Sequence, residues 1–241
     1  MAHRPWSTDD DKLLVLLTNR KGLSQASIAK ALDRTETSIN TRIYRLRQEG
    51  VQIPVLWFEK QDVTIASLDI ETTNFDADAG IMITWALHFP TTNEVKYGLI
   101  TKREMDEGTF DRRIIRELLE ELSKVDVMLT YYGTGFDVPF IRSRVMYWGL
   151  QMPTYGSIYH FDLFYAARSL FKLHRKSLDA VTTFLGIAGK THLNLEIWNK
   201  ARYGDKKALE YVLEHNRADV EILSLLWERV KPYRKWIRRS L

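Results

Sequence analysis

The sequence predicts an α/β fold: a mixed β-sheet flanked by helices, preceded by a small three-helix domain. Three observations carry this. From Val63 onward, the apolar runs "VTIASLDIE", "IMITWALHF" and "VKYGLIT" have strand length and stand close together. Helical segments alternating with further apolar runs follow them, the pattern of a mixed sheet. Before them, residues 6–49 hold three short segments with helical spacing.

The first of these, "WSTDDDKLLVLL", has Ser7 or Thr8 as N-cap and acids in its first turn. Gly22 interrupts the pattern, Ser24 is placed to cap "QASIAKALD", and Thr35 to cap "RTETSINTRIYRLRQEG", which Gly50 stops. Leu13, Leu14, Leu17, Ile28, Leu32, Ile39, Ile43 and Leu46 are expected to form one small core. The short turn "DRTE" makes this a helix-turn-helix layout. The third helix then reads nucleic acid, with Ser38, Thr41, Arg42, Arg45 and Arg47 on its outer face as donors to phosphates and base edges. A protein-binding trihelical module is the alternative. In "WSTDDD", "IAKALDRT" and "INTRIYRL" the segment resembles the Myb/SANT-like helix-turn-helix modules.

The expected organisation is a helix-turn-helix domain over 1–50, a linker over 51–62 with Pro54, Trp57 and Phe58, an α/β domain over 63–230 and a basic tail over 231–241. In the α/β domain "VTIASLDIE", apolar on both faces, reads as a central strand. "DRRIIRELLEELSKV" is an amphipathic helix with Asp111 near its start, and "VMLTYYG" is a buried strand. A helix through "PFIRSRVMYWG" follows. "IYHFDLFYAARSLF" passes from strand to helix, and "SLDAVTTFLG" and "KALEYVLEHNRADVEILSLLWERV" are helical.

With 45% hydrophobic and 27% charged residues, the composition is that of an ordinary soluble globular protein. No run approaches the roughly 18 apolar residues of a membrane span. The start, "MAHRPWSTDDDK", lacks a signal-peptide layout. A cytoplasmic location is therefore expected, with no membrane partner; the small size and domain pairing suggest a prokaryotic, phage or mobile-element origin. With no cysteine, any metal must be held by oxygen or imidazole. Residues 1–50 carry 9 Lys/Arg against 6 Asp/Glu, residues 51–227 carry 20 against 24, and residues 228–241 carry 6 against 1. Basic ends around an acidic middle point to a polyanionic partner, nucleic acid above all, or simply aid solubility. The tail "WERVKPYRKWIRRSL" interleaves aromatics with its cations; it reads as a grip on the nucleic-acid backbone or as a helix end with Trp227 and Trp236 packed down.

The acidic middle carries the chemistry. Asp69 and Glu71 stand two apart at the end of the first strand, so they share a face. Asp137 lies just past the strand "VMLTYYG", and Asp219 lies in the long last helix. Singly, each has an ordinary reading as a strand end, an N-cap or an ion-pair partner, Asp219 as that of Arg144. Gathered together, four carboxylates repel and become stable when they hold hard divalent cations, Mg²⁺ or Mn²⁺. Two such ions about 3.5–4 Å apart clamp the oxygens of a phosphoryl transfer. His215, one turn before Asp219, is the candidate general base.

These residues resemble the motifs of the DEDD superfamily of 3′–5′ exonucleases, at "LDIETT", "YYGTGFDVPFIRSR" and "HNRADVEIL". "FDLFYAARSL" and "SLDAVTTFLGI" are similar to the exonuclease domains of family-B DNA polymerases and their stand-alone relatives. The resemblance covers about residues 63–230. It implies a ribonuclease-H-like fold, with Asp69, Glu71, Asp137 and Asp219 as ligands of two divalent cations, Asp69 bridging them and Glu71 near the terminal nucleotide. The implied substrate is a single-stranded DNA 3′ end; the helix-turn-helix would hold duplex or single strand. A separate polymerase, or another replication or repair protein, is an implied partner. A ribonuclease of the same fold, a metal-dependent endonuclease and a DNA-binding regulator with a non-catalytic nuclease-like domain remain the alternatives. The chain departs from the family pattern at Tyr132, where relatives commonly carry Asn, and at His215, which takes the spacing of a tyrosine. Tyr132 and Phe136 are placed to stack on the strand end. Asp162 is expected to orient a site residue, and Arg144 to be a structural ion-pair partner.

Overall fold

The computed structural model describes residues 4–18, 25–51, 63–153, 157–187 and 194–238; for Gln25, Ala26, Arg47, Gln48 and residues 235–238 it describes the backbone alone. The expected cap Ser24, the linker over 52–62 with Pro54, Trp57 and Phe58, and the side chains of Arg47 and Trp236 lie outside what is described. The chain divides into two compact units, one within residues 1–63 and the other over Thr64–Pro153 and Ile158–Leu241. No helix among the described residues is long and apolar enough to cross a membrane.

The first unit has α1 (Thr8–Thr18), α2 (Gln25–Ala31) and α3 (Glu36–Gln48). Ser7 is the cap of α1: its Oγ accepts from the Asp10 N–H, and its own N–H donates to Asp10 Oδ2, both at 3.1 Å. Thr35 Oγ1 accepts from the Ser38 N–H at 3.2 Å at the start of α3. Leu14, Leu17, Ile28, Ala29, Leu32, Ile39 and Leu46 form the core, with Ile43 at its margin. Leu13 does not join it and is 41% exposed. Neighbours on a helix point about 100° apart, so burying the Leu14–Leu17 stripe turns Leu13 to water. Arg34 ties the segment before α1 to the turn between α2 and α3. Its guanidinium lies 4.1 Å from the Trp6 ring centroid and donates to Arg4 O, Pro5 O and Asp10 Oδ2.

The second unit is built on a five-stranded sheet of order β3-β2-β1-β4-β5. These are β1 (Ile65–Thr72), β2 (Met82–Phe89), β3 (Glu94–Leu99), β4 (Val127–Thr130) and β5 (Tyr159–Asp162). The β1–β2 and β2–β3 pairs are antiparallel; β1–β4 and β4–β5 are parallel. The strand expected to be central is central, with Ala66, Leu68 and Ile70 buried. The helices are α4 (Lys102–Asp106), α5 (Arg112–Leu122), α6 (Asp137–Tyr147), α7 (Leu163–Leu170), α8 (Leu178–Phe184), α9 (Leu195–Arg202) and α10 (Lys206–Val230). The sequence reading missed α4 and α9. Helix α5 buries Ile114, Ile115, Leu118 and Leu122, each contributing about 1.5–3 kcal/mol. Helix α10 packs along β1 and β2. Its end is anchored by the fully buried Trp227, 5.0 Å from the Phe161 ring. A 3₁₀ stretch, Lys231–Arg238, follows.

Asp111 precedes α5 but makes no capping bond. Its fully buried carboxylate accepts from Arg144 Nε and Nη2, from Trp148 Nε1 and from the Met82 N–H, all at 2.8 Å. Arg144, itself buried, also donates to Ala77 O at 3.2 Å. Arg144 is thus the structural ion-pair partner it was expected to be, and its acid is Asp111, not Asp219. One pair joins β2, α5, α6 and the loop after β1. Arg144→Met would leave Asp111 buried and uncompensated, so urea titration is expected to show a loss of about 3–5 kcal/mol. Replacing both partners, Asp111→Leu with Arg144→Met, is expected to recover much of it. A loss below about 1 kcal/mol in the single variant would contradict this account.

Candidate active site

Strand alternation puts Asp69 and Glu71 on one face of β1, in register with Ala86 and Thr84 of β2. A register shift follows at Glu71/Thr72, where the strand leaves the sheet. Asp137 opens α6, and its Oδ1 accepts from the Ile70 N–H at 3.2 Å, between the two acids of β1. Helix α10 brings His215 and Asp219, one turn apart. His215 Nε2 lies 3.7 Å from Asp219 Oδ2 and 3.7 Å from Glu71 Oε1. The Asn216 side-chain amide donates to Asp69 Oδ2 at 2.6 Å. The four acids and the histidine therefore come together. His215 is buried between two carboxylates, not lying on the helix surface.

The grouping is electrostatically costly. Burial pushes the Asp69 carboxyl well above the usual carboxylate range; Asp137, Glu71 and Asp219 push it further, while the Asn216 hydrogen bond opposes them. Burial is also the chief cause that raises Asp137 to about 7; backbone N–H donors of Asp137 and Ile70 work against it, and Asp162 adds to it.

A loop holds the aromatic side of the site. Asp162 ends β5 and accepts from three backbone N–H groups: Tyr132 at 2.8 Å, Thr134 at 2.9 Å and Phe164 at 3.0 Å. This is the orienting role expected of it. Tyr132 sits at φ +64° and is 46% exposed, its ring 4.9 Å from that of Phe164. Gly135 lets the ring lie close, since a Cβ there would stand 2.5 Å from Tyr132 Cζ. Phe136 packs at 5.8 Å against both Phe75 and Phe140. The cleft beside these residues has a volume of about 690 Å³ and is bordered by Asp69, Asp219, Tyr131, Tyr132 and Phe164 among others.

Among the described residues, no three or more His, Cys, Asp or Glu side chains already stand close enough to hold a metal ion. Charge repulsion acts over longer distances than the 2.0–2.6 Å of a hard-cation bond, so both observations hold at once. The donor set fits Mg²⁺ or Mn²⁺ in kind. It is made of carboxylate oxygens with one imidazole, and its repulsion is what a divalent cation would relieve.

Residues 66–231 match the family model described as the RNase_H superfamily. The chain belongs to the RNase H superfamily. The RNase H-like fold read from the sequence is the fold observed. The structure is similar to a family B DNA polymerase from the hyperthermophilic archaeon Pyrobaculum calidifontis. The TM-score is 0.57 and the identity 20%, over 71% of this chain and 25% of that one. A DNA polymerase of Methanocaldococcus jannaschii is 27% identical over 124 residues, 43% of this chain. The chain spans a quarter of the first relative and 8% of the second.

Within the RNase H-like domain, Asn216 was missed by the sequence reading; a buried amide inside a helix gives no sequence signal. Outside that domain, Ser38, Thr41, Arg42 and Arg45 border a pocket of about 370 Å³ on α3, together with Trp6, Thr35 and Thr37. Thr41 and Arg45 are exposed, whereas Arg42 forks onto Asp11 at 2.7 and 2.6 Å.

The raised Asp137 sets a pH dependence. Between the unfolded carboxyl value of about 4 and the folded value of about 7, the folded protein binds more protons. Stability therefore falls as pH rises through that window. In chelator, the midpoint of thermal unfolding is expected to fall from pH 5 to pH 8, and to fall less in Asp137→Asn. Mg²⁺ or Mn²⁺ added at pH 8 is expected to raise it again. A variant with the wild-type pH slope would remove Asp137 as the cause.

Proposed function

We propose that this protein is a metal-dependent 3′–5′ exonuclease of the DEDD type, hydrolysing DNA phosphodiester bonds and held on its substrate by residues 1–50. The observation that carries the reading is the meeting of Asp69, Glu71, Asp137 and Asp219 from β1, α6 and α10 beside an open cleft. The names of the two relatives, both DNA polymerases, favour DNA. Asp69, Glu71, Asp137 and Asp219 would hold two divalent cations, Mg²⁺ or Mn²⁺. When bound, such a pair supplies charge stabilisation and water activation for displacement at phosphorus.

The chain's own groups do the rest. His215 Nε2, between Glu71 and Asp219, takes the proton of the attacking water. Asn216 holds one oxygen of Asp69 in place. The exposed Tyr132 ring, with Phe136 beside it on the same loop, stacks on the terminal base. Asp162 fixes that loop. On α3, the exposed Thr41 and Arg45, with the half-buried Ser38 in the same pocket, meet phosphates and base edges. Arg42, paired with Asp11, braces the module beside them.

Digestion of end-labelled single-stranded DNA, duplex DNA and RNA, with and without Mg²⁺ or Mn²⁺, tests the reading. Mononucleotides released from the 3′ end of DNA are expected, in the presence of metal only. Cutting of circular single strands would mean an endonuclease, and preference for RNA a ribonuclease. Asp69→Ala and Asp219→Ala are expected to abolish cleavage with an unchanged circular dichroism spectrum; full activity in either sinks the site assignment.

Single-turnover rates test the histidine separately. His215→Ala is expected to slow the reaction by about 10²–10⁴-fold, and His215→Tyr to slow it less. An alanine variant as fast as the wild type removes His215 from the chemistry.

A further inference from the structure

The gathered carboxylates, of which Asp69 and Asp219 border the cleft, repel the polyanion that the proposed reaction must admit. The same cleft has a counterweight. Arg168, His174 and Lys176 border it together with Asp69 and Asp219. They belong to the stretch 168–178, which carries Arg168, Lys172, His174, Arg175 and Lys176 and no acid. Several exposed cations elsewhere in this domain are tied to carboxylates, as in Lys102–Asp106, Arg103–Glu107 and Lys200–Glu196. Arg168 and Lys176 of the cleft, among the described residues, are not. Among the described residues, Arg168 meets only the Phe164 ring, at 5.8 Å, and Lys176 Nζ donates only to Leu173 O, at 3.0 Å.

The segment is also held in place. The Tyr131 hydroxyl donates to Lys176 O at 2.5 Å, and Ser177 caps α8 through the Ala180 N–H at 3.3 Å. The cations thus stand beside the loop of Tyr132 without being neutralised by it. We infer that Arg168, His174 and Lys176 are a phosphate grip, which binds the backbone of a single strand behind the terminus lying at the carboxylates. This inference rests on the proposed function for the position of the terminus. The strand is single because Tyr132 and Phe164, in the same cleft, offer faces to unpaired bases; duplex bases are already stacked.

Binding can be read without cleavage. The full chain is titrated in chelator with a fluorescein-labelled oligothymidylate at several salt concentrations, following anisotropy. Each phosphate contact on a single strand contributes about 0.7 to the slope of log K against log salt. The double variant Arg168→Ala/Lys176→Ala is therefore expected to lower the slope by about 1.4. Lys102→Ala/Arg103→Ala, which loses the same charge away from the cleft, is expected to leave it unchanged. Arg168→Lys/Lys176→Arg, which keeps the charge, is expected to keep the slope. An unchanged slope in the alanine pair, an equal fall in the Lys102/Arg103 control, or no binding of the oligonucleotide by the wild type would overturn the phosphate grip. The two readings fail apart: a wild type that cleaves with metal while the alanine pair keeps its slope loses only the grip, and a lowered slope without cleavage loses only the nuclease.

Discussion

The ion pair between Asp111 and Arg144 is the constraint on which the domain's geometry depends. Its arginine shares α6 with Asp137, and the pair holds the frame that aims the acids. Asp111 binds the first residue of β2 and the helix that carries Asp137, while Arg144 also reaches the loop that follows Glu71. A buried pair of this kind is weak support for stability in itself, because desolvation offsets much of its attraction. Its geometric content is larger. With four donors converging on one carboxylate, α6 has little freedom to slide along the sheet, and Asp137 keeps its bond to the Ile70 N–H.

The site itself runs against the grain of folding. Buried carboxylates oppose one another, and each would be more comfortable in water. The fold tolerates them because the apolar face beneath is extensive and because individual acids are satisfied locally, Asp69 by the Asn216 amide and Asp137 by backbone N–H groups. The acids are therefore held close together before any ligand arrives, with Asp69 and Asp137 shifted toward their protonated forms. Such preorganisation is what electrostatic catalysis requires.

What could be read from the sequence was local. The strand β1, the amphipathic α5 and the long α10 announce themselves by period, and Asp69 and Glu71 by standing two apart. Short helices were lost, although Thr101 and Glu104 spell out the capping box that starts α4. Leu13 was misplaced because a helix only 11 residues long buries one narrow stripe, and the sequence does not say which of two adjacent leucines lies on it. The partner of Asp111 was not legible, since 33 residues separate it from Arg144 and nothing local marks the pairing. The same holds for Asn216 and for the three amides gathered by Asp162. Hydrogen bonds that close over long stretches of chain are products of the fold and leave no periodic trace.

Asp69 lies on the first strand and Asn216, its hydrogen-bond partner, on the last helix, 147 residues later. At about 5–20 residues per second, a ribosome needs roughly 7 to 30 seconds to add that stretch. Throughout that interval the growing chain carries its first carboxylates without α10, and so without Asp219 and His215. The proposed chemistry is absent from the nascent polypeptide until α10 has been made and has packed onto the sheet.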